Sequence, residues 1–179
     1  MMLLLACSAV NAQDLVNPSY GFSHKKTAYI TLADGTEISG IIKDIDRDKG
    51  LIEFIKLQDE AGKKHKLKPE DIKFMYLPPS GLDNLGKKLD FISDYQKWND
   101  DKLNQEYLKE GYAYFETAEV KIKKKTSKLL MQLLNPAFSK EFKIYCDPYA
   151  KETTSLGVGG VKFVGGDAKS YYVAKKDAP

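Results

Sequence analysis

The sequence contains few of the residues that most often carry catalysis or bind metals. Its 179 residues include two cysteines, two histidines, one tryptophan and a single arginine, Arg47. Two cysteines and two histidines form a four-ligand zinc site only if all of them take part or a carboxylate joins them. No apolar run reaches the ~18–20 residues of a membrane-spanning helix, so we expect no internal transmembrane segment.

The overall composition is that of a globular chain with balanced charge. Hydrophobic residues make up 42%, and 28 basic residues against 25 acidic ones give a net charge of +3. Nucleic-acid recognition typically recruits arginine for bidentate contacts, whereas the basic residues here are almost all lysine. We therefore do not expect a nucleic-acid partner.

The first residues resemble the end of a secretory signal peptide. An uncharged, apolar stretch ends at Val10, and small residues stand at Val10 and Ala12, the positions that a signal peptidase recognises. We predict a signal peptide at 1–12, with cleavage between Ala12 and Gln13. Because the first lysine is Lys25, we expect the leader to begin further upstream.

Cys7 offers a second mode of export. It follows Leu-Leu-Ala in a lipobox-like order, and cleavage before it would leave a lipid-anchored protein; cleavage after Ala12 is favoured. In that case Cys146 is the only thiol of the mature chain, and no intrachain disulfide can form. Both modes predict an exported protein, in the periplasm or associated with the outer membrane.

Residues 28–77 alternate between apolar and polar side chains and are punctuated by turn-forming residues. The pattern predicts five short strands, with a hairpin at Asp34-Gly35, a bend at Gly40 and a helical turn at Pro69-Glu70-Asp71. We predict a small closed barrel here, preceded by an extended lead-in at 13–27.

A proline pair, Pro78-Pro79, marks the clearest boundary of the chain. The following segment, 78–111, predicts a helical connector. Leucines at helical spacing indicate an amphipathic helix from Leu82 to Trp98, and a shorter helix is stopped by Gly111.

Strand-like alternation resumes after the connector. Residues 112–176 predict an antiparallel sheet, with a last hairpin joining 161–164 to 170–174 around a Gly-Gly-Asp turn. The predicted fold class is α+β, mostly β, with an N-terminal five-stranded barrel, the helical connector and a C-terminal antiparallel sheet.

Motifs of known chemistry are incomplete. Asp44, Asp46 and Asp48 begin like a calcium loop, but the glycine and glutamate that it requires are missing, so turn carboxylates are favoured. Cys146 could pair with His24 or His65 as a nucleophile, but its strand phase favours an inert core thiol. We therefore expect no cofactor and favour a non-enzymatic function.

Lysine runs and tyrosines are the remaining candidates for binding. Lys121, Lys123 and Lys125 share one face of a predicted strand and form a candidate anion-binding edge, although solvated strand edges explain such runs well. A second run spans 63–68. Adjacent Tyr171 and Tyr172 must face opposite ways, so one of them is expected to be exposed.

Two stretches resemble known protein families. The run from Ile30 to Gly40, Ile-Thr-Leu-Ala-Asp-Gly-Thr-Glu-Ile-Ser-Gly, with Asp46 following, resembles the opening of an Sm-like or SH3-like barrel, a resemblance that covers 28–77. The Sm pattern expects asparagine where this chain has Gly50, and its Arg-Gly before the last strand is absent. The resemblance therefore implies the barrel without the uridine pocket.

The second resemblance extends over most of the chain. Four segments are similar to exported Bacteroidetes-type proteins of unknown function: the leader end Val-Asn-Ala-Gln, Leu-Leu-Met-Gln-Leu-Leu-Asn-Pro at 129–136, Tyr-Cys-Asp-Pro at 145–148 and Gly-Gly-Asp-Ala-Lys-Ser-Tyr-Tyr-Val at 165–173. This resemblance supports export and implies no activity. Because of the leader, and because no catalytic set is recognisable in the sequence, we expect a non-catalytic binding or scaffolding protein of the cell envelope, whose partner is an envelope protein or a glycan. The alternatives are an Sm-like nucleic-acid-binding protein and a hydrolase with a scattered site.

Overall fold

The computed structural model describes residues 15–48, 50–80, 103–122, 125–136, 139–148, 156–158, 161–164 and 171–175. These residues are mostly β, as the sequence predicts. The strands are β1 (Thr27–Leu32), β2 (Glu37–Asp48), β3 (Leu51–Asp59), β4 (Lys64–Leu67), β5 (Ile72–Leu77), β6 (Ala113–Ile122), β7 (Lys125–Gln132), β8 (Phe142–Cys146), β9 (Leu156–Val158), β10 (Val161–Val164) and β11 (Tyr171–Lys175). A 3-10 turn (Pro69–Asp71) precedes β5, and a short helix, α1 (Gln105–Lys109), precedes β6.

The first seven strands form one antiparallel sheet in the order β4-β3-β2-β1-β5-β6-β7. The long strand β2 carries two register shifts against β3, and such bulges bend a strand and increase its twist. The sheet curls far enough that β7 approaches both β3 and the 3-10 turn. One face of the sheet therefore turns inward around a common core.

Local sequence explains the first hairpin. Asp34 Oδ1 accepts a hydrogen bond from the Thr36 amide at 2.8 Å, and Gly35 has a φ of +90°, a conformation that side chains other than glycine rarely adopt. The alternation of β1 then places Ala28 and Ile30 inward, where both are fully buried. The hairpin predicted at Asp34-Gly35 is confirmed.

The inward face holds the main hydrophobic core. Its members come from both ends of the sheet, so the N-terminal strands share their core with β6 and β7. The buried residues include Ile30, Ile42, Ile55, Leu57, Ile72, Met75, Leu77, Phe115 and Leu130. Burial of such side chains contributes roughly 1.5–3 kcal/mol each, so this shared core ties the two halves of the sheet together.

The closed five-stranded barrel predicted for 28–77 is replaced by an open sheet. All five strands and the 3-10 turn form where predicted, but among the described residues no ladder joins β4 to β5. The second edge of β5 pairs instead with β6, from Phe74 opposite Glu116 to Leu77 opposite Ala113. Strands from both sides of the proline boundary thus belong to one sheet.

The predicted helical connector is described only at its end. The amphipathic helix expected from Leu82 to Trp98 lies outside the described residues. The shorter helix is confirmed as α1: the Asn104 side chain caps it, and Gly111 follows it with a φ of +83°. No helix among the described residues is both long and apolar enough to cross a membrane.

The last predicted hairpin is wrong. β10 pairs with β9, and β11 pairs with β8, so 161–164 and 171–175 do not pair with each other. In the β8–β11 ladder Tyr172 lies opposite Tyr145, and Val173 lies opposite Ile144. Cross-strand aromatic and β-branched pairs of this kind stabilise a ladder, and here they outweigh the local Gly-Gly-Asp turn signal.

Candidate functional site

A row of tyrosines crosses the outward face of the sheet. Tyr29 lies opposite Tyr76, which lies opposite Tyr114 on the next strand. The row continues through Leu133 to Tyr145 on β8 and Tyr172 on β11. We call Tyr29, Tyr76, Tyr114, Tyr145 and Tyr172 the tyrosine row.

Helix α1 lies against one end of this row. Its cap residue Asn104 accepts hydrogen bonds from the Glu106 and Tyr107 amides, and the Asn104 amide donates to the Tyr76 hydroxyl at 2.8 Å. The Tyr107 ring stacks on Tyr29, with centroids 4.2 Å apart and an interplanar angle of 9°. One capped turn of helix therefore fixes the position of an aromatic ring above the sheet.

Between α1 and the hairpin of β1 and β2 lies a cavity of about 570 Å³, which we call the tyrosine cleft. Aromatic rings and short polar side chains line it. Its lining comprises Tyr29, Ile30, Thr31, Glu37, Ile38, Ser39, Phe74, Tyr76, Asn104 and Tyr107. Clefts of this size with aromatic walls and a few convergent polar groups are typical of sites for small ligands.

Two tyrosine hydroxyls beside the cleft, those of Tyr107 and Tyr112, keep their protons at physiological pH. Burial, and after it the neighbouring Tyr29, raises the pKa of Tyr107. Burial also raises the pKa of Tyr112, whose ring lies 6.0 Å from Tyr29, to about 12. The exposed carboxylate of Glu37 adds a hydrogen-bond acceptor at the rim. The cleft thus offers neutral donors and acceptors beside one negative charge.

A hydrogen-bonded carboxylate supports the middle of the tyrosine row. Glu116 accepts hydrogen bonds from the Lys143 ammonium and the Tyr145 hydroxyl, each at 2.7 Å, and a longer one from Tyr114 at 3.4 Å. The Glu116 side chain is only 14% exposed. Burial, followed by the charge of Glu116, raises the pKa of Tyr114 and Tyr145 well above the ordinary tyrosine range. These hydroxyls are donors held in place, not bases.

The residues predicted from the sequence lie elsewhere. Lys121 is exposed on β6, opposite Thr126 of β7. Lys123 lies outside the described residues, and Lys125 is described only as a strand position opposite Ile122. The export residues Cys7, Ala12 and Gln13 also lie outside them. The anion-binding edge and the cleavage site stay predictions.

Cys146 and the two histidines occupy separate surroundings. Burial raises the pKa of the Cys146 thiol above its ordinary value, which keeps it protonated at neutral pH. His24 bonds to the Ile42 carbonyl, and His65 bonds to Asp59 at 2.8 Å. Within the described part of the chain, no group of three or more acids, histidines and cysteines is placed to hold a metal ion.

Sequence reasoning missed the cleft because its residues come from four separate segments. The tyrosine pairs noticed in the sequence, such as Tyr171 with Tyr172, lie within a few residues of each other, whereas the cleft tyrosines 29, 76 and 107 are far apart along the chain. As expected, one member of the pair 171 and 172 is exposed: Tyr171 is 45% exposed, while Tyr172 is partly buried at the end of the tyrosine row. The available sequence signal was one tyrosine in each of the predicted strands β1, β5 and β6, with Phe74 two residues before Tyr76.

Comparison with known proteins assigns no family. No family model matches the chain, and neither a curated protein nor a solved structure does. The geometry of the described residues therefore has to support any function by itself.

Proposed function

We propose that this chain is an exported, non-catalytic binding protein of the cell envelope, and that the tyrosine cleft binds a glycan. Export is supported by the uncharged leader and by the small residues Val10 and Ala12 before Gln13. Binding rests on one observation: a cleft of about 570 Å³ whose walls combine aromatic rings with short polar side chains.

The chemistry of the walls suits a sugar. A saccharide ring carries an apolar face of C–H groups and a rim of hydroxyls, so it needs aromatic surface and hydrogen-bonding groups together. Tyr29, Phe74 and Tyr107 supply the rings, and Glu37 and Ser39 supply polar atoms from the neighbouring strand. Tyrosine gives a large contact area with little side-chain entropy to lose, which favours it at binding surfaces.

Preorganisation also favours binding at this place. The stacked pair of Tyr29 and Tyr107 is held by the α1 cap, and Tyr76 is fixed by its bond from the Asn104 amide. Because these rings are already ordered, a ligand does not have to order them, and more of its contact energy becomes affinity.

The proposal is tested by screening the mature chain against a panel of neutral and acidic oligosaccharides and titrating the tightest binder by calorimetry. Tyr107→Ala removes a cleft wall, and we expect at least ~10-fold weaker binding, which corresponds to about 1.4 kcal/mol. Glu37→Gln changes an exposed polar group without touching the core, and we expect a measurable loss from it as well.

Tyr171→Ala is the matched control, because Tyr171 is an exposed tyrosine on β11 that does not line the cleft. We expect its affinity to equal that of the unmodified chain. The proposal fails if no oligosaccharide binds, or if Tyr107→Ala and Glu37→Gln both bind as tightly as Tyr171→Ala.

A further inference from the structure

A second concave surface lies on the neighbouring strands. It is a groove of about 370 Å³ formed by β2, β3 and β4, and we call it the lysine groove. Its side chains are almost all basic or polar: Lys43, Lys56, Lys64, Lys66, Gln58 and His65.

Two ammonium groups of this groove lie against one aromatic ring. Lys66 Nζ lies 4.0 Å from the centroid of the Phe54 ring and Lys56 Nζ lies 5.1 Å from it, so two lysines contact one aromatic ring. In the part of the chain that the structure describes, Lys56 alone of the groove lysines pairs with a carboxylate, that of Asp44 at 3.0 Å. Like charges on neighbouring strands repel each other, and a bound anion relieves the repulsion.

The remaining charges near the groove leave it positive. His65 is engaged by Asp59 at 2.8 Å, and the Asp59 carboxylate is therefore directed toward the imidazole. Four lysines and no carboxylate line the groove, and they outnumber the neighbouring acids Asp44, Asp46 and Asp59, so the surface carries excess positive charge. Lysine, as a compact point charge on a flexible stem, suits carboxylates or sulfates in varied orientations.

The groove and the tyrosine cleft are joined by β2 on the same face of the sheet. Ser39 lies opposite Tyr29 in the cleft, and the next outward residue, Ile41, lies opposite Gln58 in the groove. The inward residues between them, Gly40 and Ile42, are buried, which confirms the alternation of faces. From Ser39 to Lys43 the chain extends about 13 Å at ~3.3 Å per residue.

We propose that the ligand is an acidic glycan, which lies with sugar rings in the tyrosine cleft and carries its negative groups along β2 into the lysine groove. This inference rests on the proposed glycan-binding function. The ligand is a saccharide that bears carboxylates or sulfates, because the cleft supplies aromatic surface and the groove supplies positive charge.

The test compares an oligogalacturonate hexasaccharide with its fully methyl-esterified form, which has the same sugars without the charge. We expect the acidic form to bind at least ~10-fold more tightly at low salt, because several exposed ion pairs together contribute that much affinity. The preference is expected to shrink toward 0.15 M salt, where such pairs are screened over about 8 Å. Equal affinity for the two forms overturns the proposal.

Two matched double variants locate the charge. Lys64→Gln with Lys66→Gln removes two lysines from the groove, and we expect ~3–10-fold weaker binding of the acidic form with the ester unchanged. Lys121→Gln with Lys128→Gln removes the same charge from β6 and β7, and we expect no change. A larger loss of affinity from this second double variant refutes the assignment of the acidic groups to the lysine groove.

The failure of this inference differs from the failure of the proposed function. If the ester binds and Tyr107→Ala abolishes its binding, but the acidic form gains nothing, the cleft binds a neutral glycan and the groove has no part in it. If single-stranded polyuridine binds more tightly than the uronate and Lys66→Gln abolishes its binding, the groove is a nucleic-acid site and the acidic-glycan proposal is wrong.

Discussion

Gly40 provides a sharp test of the packing between β2 and β3. It lies opposite Ala28 on one side and Asp59 on the other, in the buried middle of the sheet. A Cβ atom added there would lie 2.7 Å from the Gln58 carbonyl carbon and 2.8 Å from the Asp59 Cα, and nearer still to the Gln58 oxygen. Because these are backbone atoms, no side-chain rotation relieves the clash.

The magnitude follows from two opposing effects. Overpacking costs ~1–3 kcal/mol, and a clash with backbone belongs near the upper end of that range. Alanine also leaves the unfolded chain less conformational freedom than glycine does, which stabilises the fold by ~0.4–1 kcal/mol. We expect Gly40→Ala to destabilise the fold by about 2 kcal/mol, which lowers the melting temperature by roughly 4–8 °C in a chain of this size. Gly40→Val, with two more carbon atoms, is expected to lose at least ~3 kcal/mol.

Thermal unfolding followed by circular dichroism, with urea titration for the free energy, measures these losses. Ser39→Ala is the neighbouring control, since Ser39 faces outward, and its stability should match that of the unmodified chain. Gly35→Ala separates backbone strain from clash, because its φ is +90° but no atom lies within 4 Å of the added Cβ. A melting temperature unchanged by Gly40→Ala would refute the close approach of β2 to β3.

Three further predictions concern other parts of the molecule. The fully buried Asn135 amide donates to the Phe142 carbonyl at 2.9 Å and accepts from the Ile144 amide at 2.7 Å, and Asn135→Leu removes both bonds. We expect this substitution to lower the free energy of unfolding in urea by about 2–4 kcal/mol, and an unchanged midpoint would contradict this. Burial raises the pKa of Tyr112 to about 12, above the ~10 of a tyrosine in the unfolded chain. The unfolded chain therefore loses this proton first, and the free energy of unfolding falls as the pH rises from ~10 to ~12. Urea unfolding across this range should show a smaller fall for Tyr112→Phe, and an equal fall would disprove the assignment. N-terminal sequencing of protein from cell fractions should find Gln13 first, and a lipid-modified Cys7 or an intact start in the cytosol would disprove this cleavage.

Local patterns in the sequence determine the strands themselves. Alternation of apolar and polar residues between 28 and 77 predicts β1 to β5, and the Asp34-Gly35 pair predicts the first hairpin correctly. The stop after α1 is equally local, since only a residue that tolerates a positive φ fits at Gly111. Such features depend on a few consecutive residues, so they can be inferred without knowing what surrounds them.

Strand partners, in contrast, depend on long-range packing. The free edge of β5 could close a barrel or accept a further strand. It accepts β6, with Phe74 opposite Glu116, which lies beyond the connector. In the same way β11 pairs with β8 through Tyr172 and Tyr145, although the Gly-Gly-Asp turn favours a local hairpin. Hydrogen-bonding edges are alike in every strand, so which edges meet is set by the core as a whole.

The candidate site belongs to this second class. The sequence by itself determined a β-rich chain with a leader-like start, many tyrosines and almost no catalytic motif. Only the tertiary structure brought Tyr29 against Tyr107 and placed the lysines of β3 and β4 on the same face, because strand register and the curl of the sheet select which distant side chains become neighbours.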